Sequence, residues 1–254
     1  MDTRNDTILI TGGGSGIGRA MAEAPHGRGA KGIIAGRRRS LLEQVAAENP
    51  GMATATVDMT DANSIASFAK QVCAAYPALN VVINNAGIMR SESVKTGALD
   101  DAEAMVATNL LGPIRLTAAL LPYLMQQPHA AIMNVSSGLA FLPLAATPTY
   151  CATKAAVHSY TQSLRYQLKD TSVQVLELVP PYVQTELMGP GQASDPHAMP
   201  LKDFIDETMN LLATSPEATE ICVERVKPLR FAEANGNYER QFKQFNDNSA
   251  SALP

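Results

Sequence analysis

The chain has 254 residues, enough for one large α/β domain or two small ones. It is 46% hydrophobic and only 17% charged, with a net charge of -4, which favours a wide core and argues against a nucleic-acid surface. Cys73, Cys151 and Cys222 are far apart and lack metal-ligand spacing, so neither a disulfide framework nor a metal site is expected.

The N-terminal "MDTRNDTILITGGG" has no signal peptide, because its apolar run is short and enters a glycine turn. No stretch approaches the roughly 18–20 apolar residues that span a membrane. A cytoplasmic protein with no membrane partner is expected. "TILIT" (7–11) reads as a buried strand, and "GIGRAMAEA" begins a helix that Pro25 should kink or end early. "GIIAG" (32–36) is a second strand, weakened at Gly32, and "SLLEQVAAEN" is a helix with Ser40 as N-cap. "ATATVD" (53–58) is a third strand, followed by a helix capped by Asp61. "LNVVINNAG" (79–87) is a fourth strand, residues 101–125 a long helix bent at Pro113, and "AAIMNVSS" (130–137) a fifth strand. Residues 149–169 form another long helix and "SVQVLELVPP" (172–181) a sixth strand. Continuous apolar strands indicate burial on both faces, and strand–helix repetition gives a doubly wound parallel sheet of Rossmann type in a single domain, 1–254. The Gly- and Pro-rich stretch 186–202 reads as a mobile substrate loop.

"TGGGSGIG" (11–18) joins the first strand to the first helix. Glycines there permit a tight turn and let a pyrophosphate approach the free amides of a helix N-terminus. On its own such a turn is a weak signal, since it is also an ordinary strand–helix loop. Its spacing, T-G-x-x-x-G-x-G through Gly12, Gly16 and Gly18, resembles the short-chain dehydrogenase/reductase superfamily. The rest follows in register: Asp58, "NNAG" at 84–87, Asn109 in "ATNLLG", "NVSS" at 134–137, and Tyr150 four places before Lys154. The resemblance covers about residues 6–186 and is of the classical type. The stretch from Ser136 to Arg165 also resembles oxidoreductases encoded beside lipoteichoic-acid D-alanylation genes, a label that names no substrate.

Four residues apart on a helix, Tyr150 and Lys154 lie one turn from each other on one face. An ammonium beside a phenol should lower its proton affinity from about 10 and suit it to acid–base work. The bland alternative is a surface helical pair. The resemblance implies that Lys154 also holds the nicotinamide ribose, that Ser137 bonds the substrate oxygen, and that Asn109 holds a relay water. Asn109 could equally cap a helix or bridge a kink, Ser136 competes with Ser137, Cys151 has no assigned role, and His158 reads as a packing histidine. The resemblance further implies a cofactor site of Gly12, Ser15, Gly16, Ile17, Gly18, Asp58, Asn85, Ala86, Gly87, Tyr150, Lys154, Pro180, Val183 and Thr185. At the end of the second strand Gly36 stands where an acid would bind an NAD ribose. Arg37 and Arg38 follow, and arginine forks suit a 2′-phosphate, so NADP(H) is expected. Family members usually carry Pro-Gly where this chain has Pro180-Pro181.

The expected activity is that of a carbonyl reductase or alcohol dehydrogenase, with a catalytically silent nucleotide sensor as the alternative. Leu139, Leu142, Leu144, Pro181, Tyr182, Leu187 and Met188, beside Ser137 and Tyr150, are candidate pocket residues for a hydrophobic or aromatic ketone. Residues 216–254 show no strong strand run. A six-stranded sheet is expected there, with a helix over 238–246 replacing the family's seventh strand and a loose tail at 247–254. Loss of that strand, with the long helices still free to pair, points to a homodimer.

Overall fold

The computed structural model describes residues 4–249, so part of the tail expected over 247–254 lies outside the described residues. β1 (Thr7–Thr11) runs into α1 (Gly16–His26), β2 (Lys31–Gly36) into α2 (Arg39–Glu48), and β3 (Ala53–Thr56) into α3 (Ala62–Ala75). β4 (Leu79–Asn84) is followed by α4 (Asp100–Val106), a π-helical turn (Ala107–Leu111) and α5 (Gly112–Leu124). β5 (Ala130–Val135) leads to α6 (Pro148–Gln167), and β6 (Val173–Val179) leads through short α7 (Pro190–Ala193) to α8 (Leu201–Thr214). β7 (Glu220–Cys222), α9 (Lys227–Arg230) and α10 (Tyr238–Asn248) follow.

The strands form one parallel sheet of seven, in the order β3-β2-β1-β4-β5-β6-β7. β1, β4 and β5 are buried at every position, as their unbroken apolar runs require when helices cover both faces. On one face Met21 of α1, Leu42 of α2 and Phe204 of α8 pack against Ile8, Ile10 and Ile34. On the other, Phe68 of α3, Leu116 of α5 and Leu164 of α6 pack against Leu9, Val82 and Ile132. The order reverses between β1 and β4, and there the carboxyl ends of the strands open a cleft.

Several expectations need correction. The sheet has a seventh strand: Glu220, Ile221 and Cys222 pair with Glu177, Leu178 and Val179. Three residues give too short an apolar run to stand out, and pairing with β6 supplies the missing order. α10 forms as well, with Tyr238 and Phe242 stacked at 5.9 Å, so helix and strand coexist. The N-cap of α2 is Arg38 rather than Ser40, whereas Asp61 caps α3 by accepting from Asn63 N at 2.8 Å. β3 alternates between half-buried and exposed side chains, as an edge strand does, and stops at Thr56. α1 tolerates Pro25 by ending one residue later, and the His26 ring ties this end to the Ala30 and Pro50 carbonyls at 3.1 and 3.2 Å.

The long helix departs from α geometry at residues 107–111, before Pro113, which sits in the first turn of α5. The whole run Asp100–Leu124 is long and apolar enough to cross a membrane by length and composition, contrary to expectation. Its Leu116, Leu120 and Leu124 are spent in the core. In segment 186–202, expected as a mobile loop, Met199 bridges Val183 and α7 stands at the centre.

Candidate active site

The cleft has a volume of about 430 Å³, and the turn after β1 forms one wall. Gly12 and Gly16 have φ of +69° and +52°, the left-handed region that glycine enters without strain. A Cβ on Gly18 would lie 2.3 Å from the Gly12 carbonyl, so this glycine lets helix and turn meet. Ser15 precedes α1 without capping it, and the first turn of α1 carries no acid. Its amide end therefore faces the cleft without a side-chain anion, as an anion-binding helix end should. The turn is bound to the loop after β4. Thr11 Oγ1 accepts from Asn85 N and Ala86 N, both at 3.1 Å, and Asn85 Nδ2 donates to the Thr11 carbonyl at 3.0 Å.

Arg37 and Arg38 leave β2 at the far end of the cleft. Both are exposed, neither forms a salt bridge among the described residues, and Arg38 Nη2 donates to Ser15 Oγ at 3.3 Å. The Asp58 carboxylate accepts from Thr60 N at 2.9 Å and Thr60 Oγ1 at 2.8 Å. Those bonds, with a smaller part from Arg37, hold its carboxyl below the usual range. Ile17, Gly87, Pro180, Val183 and Thr185 also line the cleft. These residues fit a dinucleotide: a glycine cradle that any Cβ would fill, a free helix end, and two unpaired cations at the other end.

Tyr150, Lys154 and Ser137 meet on the wall opposite the glycine turn. The Ser137 hydroxyl neighbours the Tyr150 phenol, and its Oγ accepts from Leu139 N at 3.1 Å. Ser136 instead turns its Oγ to the Leu178 carbonyl at 3.4 Å. Lys154 is 5% exposed, donates to the Val135 carbonyl at 2.8 Å, and stands 5.6 Å from the Tyr150 ring centre. Burial lowers the proton affinity of Lys154 to about 8, against a smaller opposing pull from Glu177. Burial also pushes the Tyr150 phenol up, although the neighbouring Ser137 hydroxyl opposes this. The lowering expected from Lys154 is not seen: desolvation, which penalises phenolate, dominates the phenol in the protein's own environment.

Asn109 lies in the π-helical turn and does not reach the cleft surface. Its Oδ1 accepts from Ile88 N and its Nδ2 donates to the Ile88 carbonyl, both at 2.9 Å. The side chain thus bridges the kink to the loop after β4. Of the expected pocket residues, Pro181 and Leu187 line the cleft. Leu139 and Leu144 pack with Leu187 around Tyr150, Met89 and Met105. Leu142 is core, Met188 is exposed, and the exposed Tyr182 donates its hydroxyl to Asp195 at 3.0 Å. Cys151 Sγ faces the backbone of Leu144, away from the cleft, and burial raises its thiol.

The model for "short chain dehydrogenase" matches residues 6–195. An "uncharacterized oxidoreductase DltE" of Bacillus subtilis is 38% identical over 97% of this chain and 98% of its own. An uncharacterized oxidoreductase of Staphylococcus aureus is 30% identical, covering 87% of this chain and 96% of its own. A short-chain dehydrogenase from Sphingobium yanoikuyae, solved in complex with NADPH, superposes with a TM-score of 0.78 at 26% identity, covering 95% and 96% of the two chains.

The chain is a short-chain dehydrogenase. Within that family's cleft it also places residues the motifs do not mark. Gln192, buried in α7, donates to the Val183 carbonyl at 2.8 Å and to Thr185 Oγ1 at 3.1 Å, and accepts from Met188 N at 2.9 Å. It pins the segment over the cleft, a role its place in a Gly- and Pro-rich stretch conceals. Glu92 accepts from Thr149 N at 3.0 Å and Thr149 Oγ1 at 2.9 Å, fixing the start of α6, which carries Tyr150 and Lys154. A carboxylate at a helix N-terminus is a readable signal only when the two are close in sequence, and here 57 residues separate them.

Proposed function

We propose that the protein is an NADPH-dependent carbonyl reductase acting on a hydrophobic or aromatic ketone, or on the matching secondary alcohol in reverse. The observation that carries this reading is the gathering of Ser137, Tyr150 and Lys154 in a cleft whose other end holds Arg37 and Arg38. The Sphingobium relative's complex with NADPH supports the choice of cofactor. Gly12, Gly16, Gly18 and the α1 amides would hold the pyrophosphate, Arg37 and Arg38 the 2′-phosphate, Asp58 the adenine side, and Asn85, Ala86, Gly87, Pro180, Val183 and Thr185 the nicotinamide half. The bound cofactor supplies hydride.

Tyr150 gives its phenolic proton to the carbonyl oxygen, and burial keeps that proton in place at neutral pH. Ser137 bonds the same oxygen as charge develops on it. Lys154, mostly an ammonium below about pH 8, faces the phenol and stabilises the phenolate left behind. Leu139, Leu144 and Leu187 form the apolar side around the tyrosine and suit a ketone without a charged group. The segment 186–202, pinned by Gln192, closes over substrate by rotating about its ends.

A homodimer in the cytoplasm completes the reading, and because β7 is present it rests on the helix faces alone and not on a missing strand. Val106 and Leu111 lie exposed on the outer side of the long helix, the kind of surface a two-fold partner covers. The deciding experiment is a panel of ketones assayed by oxidation of NADPH and of NADH. Reduction of aryl or alkyl ketones with NADPH preferred supports the proposal. Activity confined to charged sugars or acyl-carrier thioesters, or an NADH preference, overturns it. NADPH binding without turnover of any ketone would favour the silent sensor.

A further inference from the structure

Beneath α6 the sheet carries an unbroken row of polar side chains. Asn84, Asn134, Glu177 and Glu220 are direct register partners across β4, β5, β6 and β7. Asn84 Nδ2 donates to Asn134 Oδ1 at 2.8 Å, and Asn134 Nδ2 donates to Thr161 Oγ1 of α6 at 2.8 Å. Next in the row, Glu177 is 0% exposed. One of its oxygens meets His158 Nδ1 at 2.8 Å, and the other, Oε1, has no hydrogen-bond partner among the described residues. At the outer end Glu220 is held by Arg230 through both oxygens, at 2.7 and 3.0 Å.

His158 lies one turn beyond Lys154 on the inner side of α6, as Lys154 lies one turn beyond Tyr150. Lys154 is itself fixed to the Val135 carbonyl, next in the chain to Asn134, the register partner of Glu177. A buried carboxylate with one free oxygen is costly unless a charge nearby uses it. Around Glu177, the charged or titratable groups are Lys154, His158 and Arg165 on α6, Glu220 and Cys222 on β7, and Arg230. Arg230 is committed to Glu220, which also takes both ligand oxygens that a metal ion bound by His158, Glu177 and Glu220 would need.

We propose that Glu177, oriented by His158, is a positioning residue whose buried negative charge holds Lys154 in its ammonium form behind the catalytic tyrosine. The catalytic consequence rests on the reading of Tyr150 and Lys154 given under the proposed function, but the charge coupling does not. With Glu177 ionised, Lys154 keeps its proton to higher pH than burial alone allows. His158 fixes which carboxylate oxygen faces the helix.

The test follows the Lys154 side-chain signal by NMR in the whole protein with isotope-labelled lysine and no substrate, assigned by its loss in Lys154→Arg. Glu177→Gln keeps the shape and removes the charge, and should lower the Lys154 titration midpoint by about one pH unit or more. If that variant does not fold, His158→Leu should lower the midpoint in the same direction, and His158→Gln, which restores an N–H donor, should return it. In ketone reduction, the alkaline limb of kcat should move down with the midpoint while KM for the ketone stays within about twofold. A midpoint within about 0.3 pH units of wild type in folded Glu177→Gln, or in His158→Leu, overturns the inference. If no ketone is reduced by any form, the proposed function fails while the NMR titration still decides this coupling.

Discussion

The two flanks of the sheet solve different problems. The β1–β3 flank holds its cleft open with backbone: left-handed glycines, an uncapped helix and a threonine that joins two loops. The β5–β7 flank buries ionisable side chains instead: Tyr150, Lys154 and Glu177 are all at most 6% exposed. A binding surface for phosphate needs donors that stay put, which backbone provides at little desolvation cost. Proton transfer needs groups whose affinities are shifted, and only burial and buried partners shift them far.

Tyr150→Phe attacks the second flank alone and should have the largest effect. Activity should fall by about two to four orders of magnitude while NADPH binding persists. Turnover at the wild-type level would show that the buried phenol is not the acid.

Lys154 gives a stability signature next in size. Its folded proton affinity, about 8, is below the ordinary lysine value of 10.5, so the folded state releases its proton first. Between these values the unfolded chain holds more protons, and stability must rise with pH. The penalty, about 3 kcal/mol from the difference between the two values, is present in full below pH 8. Above about pH 10 the raised Tyr150 phenol acts in the opposite sense. Denaturant unfolding from pH 7 to pH 10 should therefore show a rise in wild type that Lys154→Met lacks. Equal slopes would place the ammonium in a wetter site than the geometry gives.

On the first flank, Gly18→Ala puts a methyl group against the Gly12 carbonyl and should cost about 1–3 kcal/mol of stability, with loss of NADPH binding measured by fluorescence titration. An alanine variant that binds normally would mean the turn yields, against the contrast with the other flank. Arg37→Asp should change least: NADPH affinity falls by about tenfold or more, NADH affinity changes little, and Tm stays near wild type, because the arginine is exposed. A matching loss of NADH affinity would place Arg37 on the pyrophosphate rather than on the 2′-phosphate.

What could be read in advance divides along the same line. The glycine turn, NNAG, Tyr150 and Lys154 are local signals, so the sheet, the cleft and most of its lining were legible. Asn109 was placed on the right helix, but the two bonds from its side chain to Ile88 depend on the π-helical turn, which the sequence does not mark. The row from Asn84 to Glu220 spans four strands, and register between distant segments leaves no mark in one of them. For the same reason the bond from His158 to Glu177, the pairing of β7 with β6 and the contacts of Gln192 left no mark in the sequence. The direction of the Tyr150 shift was misread because spacing reports a neighbouring charge but not the depth at which the pair is buried.

The sheet also tapers: β3 has four residues and β7 three, against seven in β6. An outermost strand this short exposes few unpaired amides and carbonyls, too few for another chain to continue the ladder. Growth by strand addition, the usual route to fibrils for an open sheet, is therefore blocked at both sides. Any contact between copies of this protein must then use other surfaces than the strand edges.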